Sequence, residues 1–285
     1  MKIGFIGTGV MGTGIIKNLL KHDNEVTVYN RTKAHAQKVL DAGASWADSP
    51  AAVTEKTDIV MSMVGFPADV EQIYYGENGI FSKDRKGQLL IDLTTSKPPL
   101  AKKLHASAKE KGADMLDAPV FGGDVGAKNG TLTIMVGGDQ EVVDENLQLF
   151  KQFGKAVTYF GPAGSGQNAK MANQIMVAGT MTGLTEMLVY AKAANLDLEK
   201  VLKTVGGAAA NWSLSNYGPR ILKNDYTPGF FAKHFLKDLR ITLEEAEEMG
   251  LDLPATKQAK ALYEQLVDSG LGDDGTQAFV KLWWK

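Results

Sequence analysis

The 285-residue chain contains no cysteine. That absence excludes disulfides and thiolate chemistry and leaves a zinc site without support. Histidine is scarce: His22, His35, His105 and His234 lie scattered without metal-ligand spacing, so no metal is expected. No apolar run approaches the ~18 residues of a membrane span, so no membrane partner is expected. No basic run exceeds three residues, and 31 Lys and Arg against 33 Asp and Glu leave a net charge of −2. Nucleic acid is therefore not expected as a partner. A strand pattern begins at once, without a signal or transit pattern before it, and the chain reads as soluble and cytoplasmic.

Glycine is plentiful, and three glycines are placed informatively. Ile3, Phe5 and Ile6 form a short apolar strand, followed directly by Gly7, Gly9 and Gly12 at GxGxxG spacing. Apolar residues then recur at helical period from Val10 to Leu20. Strand, glycine turn and helix together predict a Rossmann dinucleotide site on Gly7, Thr8, Gly9, Val10, Met11 and Gly12. Gly7 permits the tight turn, Gly9 lets the backbone approach a pyrophosphate, and Gly12 allows close packing of helix on strand. The next strand, EVTVY, runs into Asn30, Arg31 and Thr32, and no carboxylate lies between Val26 and Gln37. An acid for a ribose 2′-hydroxyl is missing, while Arg31 suits a 2′-phosphate with Asn30 and Thr32 as neutral donors. The cofactor expected is NADP rather than NAD.

Strand and helix patterns alternate as far as Phe160, and only helical patterns follow. This predicts an α/β fold: an N-terminal doubly wound Rossmann domain (1–162), then an all-α C-terminal domain (163–285) for substrate binding and oligomerisation. A long apolar helix over about 166–194 is expected to run between the domains, with the active site between them. Further helices are expected at 198–204, 231–249 and 255–269.

Lys170, Asn173 and Gln174 stand at i, i+3 and i+4 and so share one face of the long helix. A lysine beside two amides, among Met171, Ala172 and Ile175, is unusual for a solvated surface, and a desolvated lysine can exchange a proton near neutral pH. After a strand at 114–116, Gly122 and Gly123 offer backbone N–H groups to a substrate carboxylate; the same residues fit a plain turn into a helix. Thr94, Thr95 and Ser96 follow another strand, where cofactor and substrate edges meet, or else cap a helix beginning at Pro98.

The chain resembles the β-hydroxyacid dehydrogenase family nearly end to end, which includes 3-hydroxyisobutyrate dehydrogenase and the tartronate and succinic semialdehyde reductases. The resemblance is carried by Gly7-x-Gly9-x-Met11-Gly12, Asp92-Leu-Thr-Thr-Ser-Lys-Pro98, Asp117-Ala-Pro-Val, Gly130-Thr-Leu-Thr-Ile-Met-Val-Gly-Gly138, Gly164-x-Gly166-x-x-x-Lys170 and Lys237-Asp238-Leu239. It implies that Lys170 is the catalytic acid and base while Asn173 and Gln174 orient the substrate. It also implies that Thr95 lies by the nicotinamide ribose, Met63 and Val64 along the dinucleotide, and Lys237 close to the cofactor. Trp212 and Phe231 are expected to wall the pocket. A surface ion pair is the competing reading of Lys237 with Asp238, and a place in the core that of the two aromatics. Phe121 departs from the serine usual in the family, removing a hydrogen-bond donor and adding bulk. The function implied is interconversion of a small β-hydroxyacid and its semialdehyde or keto acid, by a homodimer or homotetramer. An imine reductase on the same scaffold and a non-catalytic NADP-binding scaffold or sensor are the alternatives.

Overall fold

The computed structural model describes residues 1–83, 85–207 and 209–284. The chain falls into two compact units, Met1–Lys170 and Met171–Lys285. The first opens with β1 (Lys2–Ile6), α1 (Val10–Leu20), β2 (Glu25–Tyr29), α2 (Gln37–Leu40) and β3 (Ser45–Trp46). It continues with α3 (Pro50–Thr54), β4 (Ile59–Ser62), α4 (Pro67–Tyr75), β5 (Leu89–Asp92) and α5 (Pro98–Glu110). Then come β6 (Asp114–Asp117), β7 (Val120–Phe121), α6 (Gly123–Asn129) and β8 (Leu132–Gly137), followed by α7 (Gln140–Glu145), α8 (Leu147–Phe150) and β9 (Gly154–Gly161).

Among the described residues the strands form one nine-stranded sheet in the order β3-β2-β1-β4-β5-β6-β8-β7, with β9 on β8. The first six are parallel, and β8 runs antiparallel to β6 and β7. Central strands buried on both faces must be apolar nearly throughout, as Leu89-Leu90-Ile91 of β5 are. One face carries Ile3, Phe5, Ile15, Leu19, Leu116 and Phe150; the other carries Ile6, Val60, Tyr74, Leu90 and Leu104. The topology reverses at β1, from which the chain winds one way to β2 and the other way to β4. Loops leaving the carboxyl ends of β1 and β4 therefore diverge and open a crevice.

One long helix, α9 (Ser165–Ala193), begins in the first unit and continues into the second. The second unit adds α10 (Leu198–Val205), α11 (Trp212–Leu222), α12 (Ala232–Glu248) and α13 (Pro254–Leu266). Its core centres on Phe235, Tyr263 and Phe279: Tyr263 meets Phe235 edge-on at 4.8 Å and stacks on Phe279 at 4.7 Å.

Helix α11, which the sequence expectation does not include, carries Gly218 and Pro219 inside it. Asn211 supplies its N-cap by accepting the Leu214 N–H at 2.8 Å. Gly218 is present for packing, since a Cβ there would lie 2.8 Å from the Leu202 side chain of α10. Tertiary packing outweighs the ~3 kcal/mol that proline costs inside a helix. Among the described residues no helix is long and apolar enough to cross a membrane.

Candidate active site

The glycine turn after β1 is built by steric exclusion. Gly7 has φ +105°, and a Cβ there would overlap the Met63 carbonyl oxygen. A Cβ on Gly12 would overlap the Gly7 carbonyl, so α1 starts hard against the turn. Gly9 differs from both, because a Cβ there would meet nothing within 4 Å. It is the N-cap of α1, with no side-chain cap and no acid in the first turn. Beside it the Thr8 hydroxyl is buried without a partner among the described residues. An open backbone cradle, an uncapped helix N-terminus and a waiting hydroxyl fit the pyrophosphate of a dinucleotide.

Asn30 ties the end of β2 to this turn. Its Oδ1 accepts the Thr8 N–H at 3.0 Å, and its Nδ2 donates to the Thr32 carbonyl at 3.0 Å. The Arg31 side chain is 86% exposed and pairs with Asp69 at 3.2 Å. Asp69 also accepts the Phe66 N–H at the start of α4. Sequence reasoning missed it, because an acid absent from the β2 loop arrives from a helix 38 residues on. Its one signal was its place after Pro67, in the first turn of a helix. Met63 and Val64 continue the same edge after β4, where the Val64 N–H donates to Thr94 Oγ1 at 3.0 Å. Thr95 is half-buried in the loop after β5. The expectation that Thr94, Thr95 or Ser96 caps α5 is corrected: the N-cap is Lys97, without a side-chain cap, and proline leads the helix. A proline at the first helical position has no N–H there to satisfy.

Two buried carboxylates close the strands beside this loop. Asp92 accepts Ser62 Oγ at 2.9 Å and the Thr94 N–H at 3.1 Å. Asp117, its register partner on β6, accepts the Gly164 N–H at 2.7 Å and the Gln167 N–H at 2.9 Å. Burial pushes each up to about 6, against the hydrogen bonds they accept. Both open motifs that carry the family resemblance, but neither is given a site role from sequence; each is an acid ending an apolar strand. Gln167 is fully buried; Nε2 donates to the Thr94 carbonyl at 2.7 Å and Oε1 accepts the Ser96 N–H at 2.9 Å.

Lys170 is 6% exposed, and its Nζ donates to the Val120 carbonyl at 3.0 Å. The half-buried Phe121 ring lies 6.0 Å from that ammonium. Gly122, with φ +129°, is the N-cap of α6, and Gly123 begins that helix.

In the second unit Asn173 donates to Gln174 Oε1 at 2.9 Å, and Gln174 donates to Asp238 Oδ2 at 2.5 Å. Lys237 pairs with Asp238 at 3.1 Å. The surface reading of that pair is corrected: Asp238 is 1% exposed and the Lys237 side chain 11%, because α12 turns this face into the unit. Burial, with the Lys237 charge adding to it, lowers His234 to about 4. Trp212 is 42% exposed and meets Tyr217 edge-on, while Phe231 is the N-cap of α12 and meets His234 edge-on. Neither aromatic is a core residue. Among the described residues no group of three or more His, Asp or Glu is placed to hold a metal.

Comparison with known proteins agrees with this geometry. A family model described as the NAD binding domain of 6-phosphogluconate dehydrogenase matches residues 2–161. A second, described as NAD-binding of NADP-dependent 3-hydroxyisobutyrate dehydrogenase, matches residues 164–283. An uncharacterized oxidoreductase of Bacillus subtilis is 49% identical over 99% of both chains. A probable mitochondrial 3-hydroxyisobutyrate dehydrogenase-like protein of Arabidopsis thaliana is 48% identical over 98% of this chain and 84% of its own. The solved 3-hydroxyisobutyrate dehydrogenase of Mycobacterium tuberculosis with L-serine superposes with a TM-score of 0.88. It is 25% identical and covers 100% of this chain and 99% of its own.

The buried carboxylates predict an unusual pH dependence. Asp92 titrates at about 6 in the folded chain against 3.8 ordinarily, so between these values the folded state binds more protons than the unfolded one. The contribution of Asp92 to stability therefore falls as pH rises from about 4 to about 6 and levels off above that. Asp92→Asn keeps an acceptor for Ser62 and Thr94 and removes this contribution. Between pH 4 and 7 its unfolding free energy should gain about 2 kcal/mol on the wild type in urea titrations. Parallel curves would show that Asp92 does not titrate in this window.

Proposed function

The chain belongs to the β-hydroxyacid dehydrogenase family, and we propose on that premise that it interconverts a small β-hydroxyacid and its semialdehyde or keto acid with NADP(H), Lys170 moving the proton. Its class is an NAD(P)-dependent dehydrogenase acting on a CH–OH group. Bound at the glycine turn, the nicotinamide cofactor supplies or removes the hydride.

The setting of Lys170 carries the proposal. An ammonium buried against a carbonyl and an aromatic ring keeps a proton donor out of bulk water, one turn into a helix whose start is bonded to the loop after β5. In the reducing direction Lys170 donates its proton to the substrate oxygen; in the oxidising direction its amine takes the hydroxyl proton. The N–H groups of Gly122 and Gly123 hold the substrate carboxylate, and Phe121 gives that wall an apolar surface. Thr8 donates its hydroxyl to the pyrophosphate over the α1 N-terminus. Arg31, turned from Asp69, pairs with the 2′-phosphate as a planar cation.

The chain further assembles with copies of itself through α9. Met176, Gly179, Gly183 and Tyr190 are exposed and recur along one side of that helix. The two glycines leave open space where a second helix backbone can approach.

NADPH oxidation against a panel of semialdehydes, glyoxylate and 2-keto acids tests the activity. Lys170→Ala should lower kcat by about 10²–10⁴-fold while leaving NADPH affinity nearly intact; undiminished turnover would assign proton transfer to another group. Arg31→Ala should weaken NADPH binding about ten-fold and NADH binding little, since one charge-assisted contact is lost. Equal losses by fluorescence titration would refute NADP selection. Light scattering should return a multiple of the chain mass, and a monomer at working concentration would sink the assembly reading.

A further inference from the structure

We propose that Gln167 is a positioning residue for Lys170: its amide fastens the first turn of α9 to the loop after β5 and so sets where the lysine ammonium stands relative to Thr95. The inference rests on the reading of Lys170 as the group that moves the proton.

Gln167 is buried completely, and both ends of its amide are engaged by backbone groups on either side of Thr95. The bond to the Thr94 carbonyl is 2.7 Å and the bond from the Ser96 N–H is 2.9 Å. One side chain thus holds the peptides before and after Thr95. That loop is anchored independently, through the Thr94 N–H to Asp92 and the Val64 N–H to Thr94 Oγ1. The helix end is anchored as well. Asp117 takes the Gly164 and Gln167 N–H groups, and a Cβ on Gly166 would lie 2.7 Å from the Asp117 carbonyl oxygen. Gln167 joins the two anchored parts, and Lys170 follows it by three residues on the same helical surface. An apolar side chain of equal length would fill the same space. It would leave the Thr94 carbonyl and the Ser96 N–H without their partner, so loop and helix would lose their common register. A misplacement of about 1 Å at a reacting group costs about 10²-fold in rate.

Gln167→Met keeps the length and removes both bonds; Gln167→Glu keeps the acceptor for the Ser96 N–H and removes the donor. Both are compared with wild type and Lys170→Ala on the best aldehyde acid of the panel. Readouts are kcat, NADPH affinity, thermal unfolding, and the isotope effect from NADPH deuterated at the transferred hydrogen. Gln167→Met should lose about 10²-fold in kcat, keep NADPH affinity and melting temperature near wild type, and show an isotope effect equal to or above wild type, because chemistry limits the rate. Gln167→Glu should lose kcat as well, because a buried carboxylate oxygen would face the Thr94 carbonyl oxygen. The proposal is overturned if Gln167→Met turns over at the wild-type rate, if its loss comes with a diminished isotope effect or weakened NADPH binding, or if neither variant folds. An active Lys170→Ala would instead overturn the proton-transfer reading itself. An inactive Lys170→Ala beside an undisturbed Gln167→Met removes only the positioning role.

Discussion

The carboxylate of Asp117 holds the point at which a sheet becomes a long helix. A helix leaves its first N–H groups without partners inside it, and here they would be left in a buried place. Asp117 ends β6 and accepts the Gly164 and Gln167 N–H groups, so the start of α9 is bonded to the carboxyl edge of the sheet. The fit is tight on the other side too, where a Cβ on Gly137 would lie 2.7 Å from the Gly166 nitrogen. Lys170 stands on α9 just past this anchored start.

That anchoring works against a desolvation cost. Asp92 and Asp117 are register neighbours, both buried, and both shifted toward the neutral form. Hydrogen bonds to a charged acceptor contribute roughly 1.5–3 kcal/mol each, enough to offset much of that cost when two or more converge. The result is a rigid platform of backbone donors around carboxylates. The glycine turn after β1 is held by close approaches at Gly7 and Gly12 and by the Asn30 hydrogen bond to the Thr8 N–H. Gly9 is the exception that leaves room for a ligand.

The elements that sequence reading located best are those set by local pattern. The helical period over Val10–Leu20 and the strand EVTVY match the structure to the residue. Both rest on short-range periodicity, helical in the one and alternating in the other. Helix α11 is missing from that reading; it holds Pro219, and its Gly218 packs against Leu202 of α10. Side-chain partnerships were less legible. Thr94 offered two local uses, and the structure spends its hydroxyl on the Val64 N–H rather than on a helix cap.

The sequence by itself determined the alternation of strands and helices, the change to helices after β9, the glycine turn and the family. These follow from periodicity and from the conformational demands of single residues, which act over a few positions. The tertiary structure decided which polar groups meet: Asp69 with Arg31, Asp117 with the start of α9, Gln167 with the Thr94–Ser96 backbone, Asp238 with Gln174 and Lys237. Such pairs lie up to 73 residues apart in the chain. A hydrogen bond requires its atoms within about 3 Å, and only the folded backbone brings them there.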